Sequence, residues 1–364
     1  MARARTQRRS VVGLDIEPSF LAAAEVSVKG AIAVERAATA PLEPGVMRDG
    51  EVTDVEGLAE ALKPFFADHS LGKRVRLGVA NQRIVVRTID VPNLSDPKEL
   101  AAAVRFQAQE HIPMPLDLAV LDFQPLGQVD TEQGPRARVM LVAARRDMVD
   151  RLLEAVRRAG LRPEGVDLSA FAMIRALDKS PAAPSGEGED TGETRASSVL
   201  YVSVGGLTNL AIAERGICRF TRVAAGGLEG MVAQLSERRG LTLEHSRQWL
   251  NHVGLSAPVE QIEGDAEIVT EARTVLSDGV RRIADDVRNS IDYYRAQESA
   301  VSVEEAVLTG AAVGVPGFTE QLASDLGMAV TAGVVAEAQP GTVPLEDAGR
   351  LTVAAGLAVE ERGP

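Results

Sequence analysis

The segment Gly13–Ser19, GLDIEPS, places an acidic side chain in a short apolar run that predicts a strand ending in a turn. An aspartate at such a strand can hold a hydrated magnesium ion, and the amides of the turn can meet phosphate oxygens. For such a segment taken alone, the interpretation that Asp15 only begins a hairpin is favoured, because aspartate is a common turn residue. By itself, this segment leaves a phosphate site and a plain turn both open.

Three further segments bring glycine to predicted strand ends: Gly205–Gly206, Gly226–Gly227 and Leu308–Phe318, which reads LTGAAVGVPGF. Glycine lets backbone amides approach a phosphate, or a flat base, without hindrance from a Cβ atom. Hairpin turns need glycine for other reasons, so each segment alone decides nothing. Together they leave a ligand cleft and ordinary turns as equal alternatives.

The cysteine and histidine residues of the sequence do not form a pattern that indicates catalysis or metal binding. Cys218 is the single cysteine, and the four histidines, His69, His111, His245 and His252, show no spacing of paired metal ligands. Cys218 lies in a predicted strand with no histidine nearby in sequence, which favours core packing over a nucleophile. We expect a reducing compartment and no metal–cysteine centre.

Charge and hydrophobicity limit the classes of protein to which the chain can belong. The 364 residues are 45% hydrophobic and 25% charged, with a net charge of −13, so we expect a folded chain of two or more domains. Such a charge repels phosphate backbones, which argues against nucleic acid as a ligand. No run of about 18 apolar residues occurs. We therefore expect a cytoplasmic protein whose membrane contact is indirect, through a partner.

The pattern of predicted elements is duplicated. From Val11, three short strands form a meander that is followed by a helix over Val55–Phe66 and a strand over Arg74–Ala80. Residues Val199–Val223 predict a second meander, with a helix from about Gly227. The repetition predicts two similar α/β lobes that face each other across a cleft.

A separate unit is predicted between the two halves. Its helices and strands are expected at Glu99–Glu110, Leu118–Leu126, Ala137–Ala143 and Met148–Ala159. The segment Ser180–Ser198, rich in Pro, Gly, Ser and acidic residues, predicts a flexible loop. Gly279–Gln297 predicts a long amphipathic helix.

Two long segments, LAAAVRFQAQEHIPMPLDLAVLDFQPLG at Leu100–Gly127 and VMLVAARRDMVDRLLEAVRRAGLRPEGVDLSAFAMIRAL at Val139–Leu177, resemble the PilM family. These are actin-like proteins of type IV pilus assembly, related to the cell-division protein FtsA, and the resemblance runs from Gly13 to Glu360. It implies an actin-like (ribonuclease H-like), two-lobed α/β fold with a small α+β inserted subdomain. The implied divisions are a basic tail over 1–10, a first lobe over 11–85 with 165–179, the inserted subdomain over 86–164, a flexible acidic loop over 180–198, a second lobe over 199–227 with 301–360, and its smaller subdomain over 228–300.

The resemblance also implies ATP with magnesium in the cleft. The implied cofactor-binding residues are Asp15, Ser19, Gly205, Gly206, Thr208, Gly226, Gly227, Gly310 and Gly317, with Asp15 facing the metal. The chain departs from the family pattern with Glu17 and Pro18 in the phosphate turn, Ala22 for a lysine and Ser203 for an aspartate. These changes add a negative charge and remove an amide donor and a cation, so we expect ATP binding to be weakened or lost and hydrolysis to be negligible.

In the PilM family, a groove between the first lobe and the inserted subdomain receives the cytoplasmic tail of PilN. The residues implied to bind this partner are Val104, Phe106, Ile112, Met114 and Leu116, although any of them could instead form the core of the inserted subdomain. We therefore expect a scaffold, not an enzyme, that joins a PilN-like single-pass protein and other inner-membrane platform proteins of the pilus at the inner face of the cell membrane. The alternatives are an active ATPase of the actin superfamily and an FtsA-like division protein.

Overall fold

The computed structural model describes residues 11–29, 31–131, 134–178, 198–297, 300–339, 341, 343 and 347–359. The basic tail predicted over residues 1–10 lies outside this range, as does all of the predicted acidic loop except Ser198.

The first half of the chain forms ten strands and four helices in its described part. The strands are β1 (Val12–Glu17), β2 (Phe20–Lys29), β3 (Ala31–Pro41), β4 (Met47–Arg48), β5 (Glu51–Val52), β6 (Arg74–Val79), β7 (Val85–Pro92), β8 (Ala119–Thr131), β9 (Gly134–Arg145) and β10 (Arg162–Leu168). The helices are α1 (Val55–Asp68), α2 (Pro97–His111), α3 (Arg146–Arg158) and α4 (Ser169–Leu177).

The second half begins with another meander. Its strands are β11 (Ser198–Val204), β12 (Thr208–Glu214), β13 (Ile217–Ala224), β14 (Val303–Thr309), β15 (Ala329–Ala332) and β16 (Ala336–Glu337). Its helices are α5 (Leu228–Arg239), α6 (Leu243–Val253), α7 (Ala266–Arg295), α8 (Phe318–Leu326) and α9 (Leu351–Ala358). None of the helices in the described residues is both long enough and apolar enough to cross a membrane.

Two sheets repeat one topology, which confirms the predicted duplication. In the first sheet the order is β10-β6-β1-β2-β3-β16, and in the second it is β13-β12-β11-β14-β15. Each sheet consists of an antiparallel meander whose first strand, β1 or β11, also pairs in parallel with a later strand, β6 or β14. The two meanders therefore belong to separate lobes, each with its own buried core.

The inserted unit is smaller than the predicted range 86–164. Its sheet, ordered β7-β9-β8, packs with α2 around a core that includes Ile89, Val104 and Leu141. Helix α3 instead buries Leu152, Ala155 and Val156 in the first-lobe core, and β10 pairs with β6 from Arg162 onward. The apolar stripe of α3 faces the first lobe, so these contacts favour an inserted unit that ends near Arg145.

The end of the described chain returns to the first lobe. Helix α9 is buried along its whole length and packs on β1, β2 and α4, while β16 pairs with β3. Residues 301–360 were predicted to belong to the second lobe as a block. The assignment does not hold for β16, which pairs with β3, or for α9, which packs mainly on β1, β2 and α4.

Candidate functional site

The cleft between the lobes contains a buried carboxyl group at the end of the first strand. Asp15, on β1, accepts a hydrogen bond from the Ser169 hydroxyl at the start of α4, with 3.4 Å between the oxygens. Burial raises the pKa of Asp15 from 3.8 to about 8, and the nearby charge of Glu17 acts in the same direction. At neutral pH this carboxyl group therefore carries a proton.

Glu17 links the two lobes directly. Its Oε2 atom accepts a hydrogen bond of 2.7 Å from the backbone N–H of Gly206, in the turn between β11 and β12. Burial raises the pKa of Glu17 above its usual value, although the Gly206 amide and the charge of Arg350 act in the opposite direction. A side chain of the first lobe thus occupies an amide donor of the second lobe that the resemblance assigns to a phosphate group.

Little space remains beside this contact. The cavity between Asp15, Ser169, Ser203 and their neighbours has a volume of about 40 Å³, enough for a few water molecules. The residues do not fit a nucleoside triphosphate in this arrangement, because the Glu17 carboxylate occupies the Gly206 amide and Pro18 has no N–H to donate.

A network of charges and one aromatic ring closes the same cleft. Glu229, on α5, pairs with Arg247 of α6 at 2.7 Å and with Arg350, just before α9, at 3.4 Å. The Arg350 guanidinium also lies 3.9 Å from the ring centre of Phe20, a residue of the first lobe. These contacts join three parts of the chain that are distant in sequence: β2, the α5–α6 pair and the start of α9.

The predicted glycines do not all lie together. An added Cβ would collide with the Glu17 carboxylate at Gly205, with the Pro18 ring at Gly206 and with the Gly205 carbonyl at Gly227. Thr208 donates a hydrogen bond to the Gly226 carbonyl at 2.9 Å. Gly310, with φ +84°, lies against Ser203 and Val204 at the end of β11.

Gly317 and Ser19 are placed differently from the glycine cluster. Gly317 packs against the loop after α6, where an added Cβ would lie 2.6 Å from the Ser256 nitrogen. The Ser19 hydroxyl is buried and has no hydrogen-bond partner among the described residues. The core of the predicted nucleotide site is therefore the set formed by Asp15 and the glycine turns of the second lobe.

A second, larger concavity lies where the first lobe, the inserted unit and the second lobe meet. This docking groove has a volume of about 780 Å³ and is lined by residues 79–87, 113–115, 118, 145, 168, 170, 209, 221–225 and 286. Asn81 shapes its wall by accepting a hydrogen bond of 2.7 Å from the Arg83 N–H. The groove is formed by loops and strand ends from all three units together.

Of the five residues predicted to bind a partner, Met114 lines the docking groove. Val104 and Ile112 are buried in the core of the inserted unit, so the structure argues against them as contact residues. Leu116 is half-buried against the same core, and Phe106 is 70% exposed on α2 outside the groove. The alternative that these residues form the core of the inserted unit therefore describes Val104 and Ile112.

Some residues of both cavities escaped the sequence analysis. Asn209, on β12, lines the cleft and the docking groove, and its Oδ1 atom is buried with no hydrogen-bond partner in the described part of the chain. A polar amide directly before the apolar run LAIA in the strand TNLAIAE was the available signal. Ser169 and Arg350 gave no comparable signal, because their roles depend on contacts far away in sequence.

Comparison with known proteins gives the family and the fold. The family model of type IV pilus assembly protein PilM matches residues 13–361. A solved structure of a PilM–PilN type IV pilus biogenesis complex is similar at 26% identity, with a TM-score of 0.76, covering 96% of this chain and 98% of that one.

Two more distant structures share the fold. The ethanolamine utilization protein EutJ of Carboxydothermus hydrogenoformans is 15% identical, with a TM-score of 0.52 and coverage of 96% of this chain and 88% of that one. MreB5 of Spiroplasma citri, bound to ADP, is 11% identical, with a TM-score of 0.50 and coverage of 96% and 95%. The predicted actin-like fold is thereby confirmed, and the family match over nearly the whole sequence shows that the chain belongs to the PilM family of type IV pilus assembly proteins.

Proposed function

We propose that this protein is a cytoplasmic scaffold of type IV pilus assembly that binds the cytoplasmic tail of a PilN-like membrane protein and is thereby held at the inner membrane. The similarity to a PilM–PilN complex supports the choice of partner. The observation that carries the proposal is the open docking groove at the meeting point of three structural units.

The shape and lining of the docking groove suit a short, extended peptide. Its volume of about 780 Å³ lies within the range of cavities that enclose small ligands. Val79, Ile84 and Leu168 give it an apolar surface, and Leu118, 58% exposed, lies at its edge. Exposed apolar side chains beside a concavity are typical of interaction sites.

The scaffold works without nucleotide turnover in this proposal. An ADP-bound relative with the same fold makes a nucleotide site plausible in the superfamily. In this chain Glu17 accepts the hydrogen bond of the Gly206 amide, and Asp15 is protonated. To bind with magnesium, a triphosphate would have to displace the Glu17 carboxylate from that amide and remove the proton from Asp15. We infer weak nucleotide binding and no catalytic residues. An active ATPase is the second candidate, and this geometry does not favour it.

A peptide titration tests the docking site. The N-terminal tail of the organism's PilN-like protein, labelled with a fluorophore, would be titrated with wild-type protein, Met114→Glu and Phe106→Glu. A charge in the docking groove should weaken binding at least about tenfold, equivalent to about 1.4 kcal/mol, whereas the same charge at exposed Phe106 should have little effect. Equal binding by all three proteins would move the site elsewhere, and no binding by wild type would refute the proposed partner.

A further inference from the structure

The docking groove has a charge opposite to that of the whole protein. Among its described lining residues are four arginines, Arg83, Arg87, Arg145 and Arg222, and one acidic residue, Asp286. The chain as a whole has a net charge of −13. A cationic concavity attracts an anionic segment of a partner, whereas the net negative charge of the whole molecule opposes association with other copies of the same chain.

Two of the four arginines are free to meet such a partner. Arg83 already pairs with Glu51, and Arg145 pairs with Asp147. In the described part of the chain, Arg87 donates a hydrogen bond only to the adjacent Val86 carbonyl, and Arg222 only to the Ser290 hydroxyl at 3.3 Å. Neither has a carboxylate of the described residues within ion-pair distance.

The two free arginines lie on neighbouring strands of different units. Arg87 belongs to β7 of the inserted unit and Arg222 to β13 of the second lobe, and these strands contact each other. A ligand that interacts with both side chains would therefore bridge the two units across the docking groove.

The Asn209 side chain adds a second requirement on the ligand. Asn209 is 6% exposed, lines the docking groove, and presents an Oδ1 acceptor without a partner among the described residues. A buried acceptor needs an N–H or O–H donor. A phosphate diester has negative charge but no donor of its own, whereas a peptide has a backbone N–H at every residue except proline as well as acidic side chains.

We propose that the segment bound in the docking groove is an extended, largely apolar peptide with at least one Asp or Glu. Its carboxylate lies at Arg87 and Arg222, and one of its N–H groups donates to Asn209 Oδ1. This proposal rests on the proposed function, because the segment is the tail of the PilN-like partner, and it names the feature by which that tail is selected.

The expected change in peptide affinity depends on how exposed the interacting side chains are. Arg87 and Arg222 are exposed, and ion pairs of this kind usually change affinity by a factor of about 1.5 to 5 each, mainly at low salt. Leaving a buried hydrogen-bonding group of the peptide without its partner has a larger effect, about 5- to 100-fold. The loss of affinity on neutralising the two arginines should therefore depend on salt, whereas the loss caused by Asn209→Leu should depend on it less.

The test uses two labelled peptides, the natural PilN-like tail and the same tail with each Asp changed to Asn and each Glu to Gln. Binding to wild type, the double variant Arg87→Gln/Arg222→Gln and the control Arg105→Gln, an exposed arginine of α2 outside the groove, would be measured at 50 and 300 mM NaCl, about 14 and 6 Å of screening length. Wild type and the control should prefer the acidic peptide several-fold at low salt, and less at high salt. The double variant should bind both peptides alike.

Three results would overturn the inference while leaving the proposed function intact. They are equal binding of both peptides by wild type, a preference that persists in the double variant, and a natural tail that binds without containing any Asp or Glu. Binding of phosphatidylglycerol vesicles that is lost in the double variant would assign the arginines to lipid and also overturn it. If neither peptide binds wild type, the proposed function itself fails.

Discussion

Asp15 is buried and Glu17 is half-buried on the same strand of the cleft, where like charges raise the cost of ionising both. The Gly206 N–H and Arg350 favour the charged form of Glu17. Within the described residues, the one hydrogen bond to Asp15 comes from the Ser169 hydroxyl, and the pKa of Asp15 is raised to about 8. The proton therefore resides on Asp15, which makes this residue a hydrogen-bonding group at neutral pH and a poor magnesium ligand.

The protonation of Asp15 should make stability depend on pH. Because its pKa is about 8 in the folded protein and near 3.8 when unfolded, the folded state binds more protons in that interval. Its stabilising contribution is complete below about pH 4 and is lost as the pH rises towards 8, with a slope of up to about 1.4 kcal/mol per pH unit. Urea unfolding at pH 5, 6, 7 and 8 should show this decline in wild type and a flatter profile in Asp15→Asn. The exposed Asp150→Asn variant serves as control, and a wild-type profile that Asp15→Asn leaves unchanged would refute the assignment.

Glu17 should control nucleotide affinity. Replacing it with serine frees the Gly206 amide and removes the negative charge, so Glu17→Ser should bind a fluorescent ATP analogue with magnesium at least about tenfold more tightly than wild type, a change of about 1.4 kcal/mol. Glu17→Gln keeps a side chain of the same size at the amide and should show a smaller gain. Micromolar binding by wild type that falls in Asp15→Ala would show that the site is intact after all.

At the scale of elements, the most constrained contact is the crossing of α4 and α9. A Cβ added at Gly356 would lie 1.9 Å from the Ala172 carbonyl oxygen, and one added at Gly13 would lie 1.8 Å from that of Ala354. Both collisions are with backbone, which cannot move aside by a change of rotamer. Small residues therefore let α9 seat against β1 and α4, the elements that carry Asp15 and Ser169.

A matched pair of glycine substitutions tests this crossing. Gly356→Ala should lower the free energy of unfolding by about 1–3 kcal/mol through overpacking. Gly230→Ala, on α5 with nothing within 4 Å of the added Cβ, should be neutral or raise it by up to about 1 kcal/mol, because alanine favours the helix. Chemical denaturation gives both values, and equal effects of the two substitutions would contradict the close packing of α9.

The elements were more predictable from sequence than their partners. The meanders and the position of α2 follow from local periodicity and turn residues, which depend on neighbours in sequence. The position of α3, α9 and β16 in the first lobe does not follow from such local signals. An apolar stripe shows that one face is buried, but it does not show which element covers that face. Asp15 and the glycine turns were found because few residue types suit their positions, whereas Asn209 and Arg350 act through contacts across the whole chain.

At the scale of the molecule, the cleft and the docking groove have opposite characters. The cleft is closed by Glu17 and by the Glu229–Arg350 pair, and about 40 Å³ of space is left in it. The docking groove is open, with about 780 Å³. Asn209 lies on the wall between them. We infer a platform already held together by its own side chains, ready to bind a partner without first binding nucleotide.

The most direct test of this platform is hydrogen–deuterium exchange of the full chain, with and without the PilN-like tail and with and without magnesium ATP. The tail should slow exchange in residues 79–87, 113–118 and 221–225, which surround the docking groove, and ATP should neither cause nor be needed for this protection. Protection confined to other surfaces, such as α2 around Phe106, or protection that requires ATP, would contradict a nucleotide-independent scaffold that binds its partner in the docking groove.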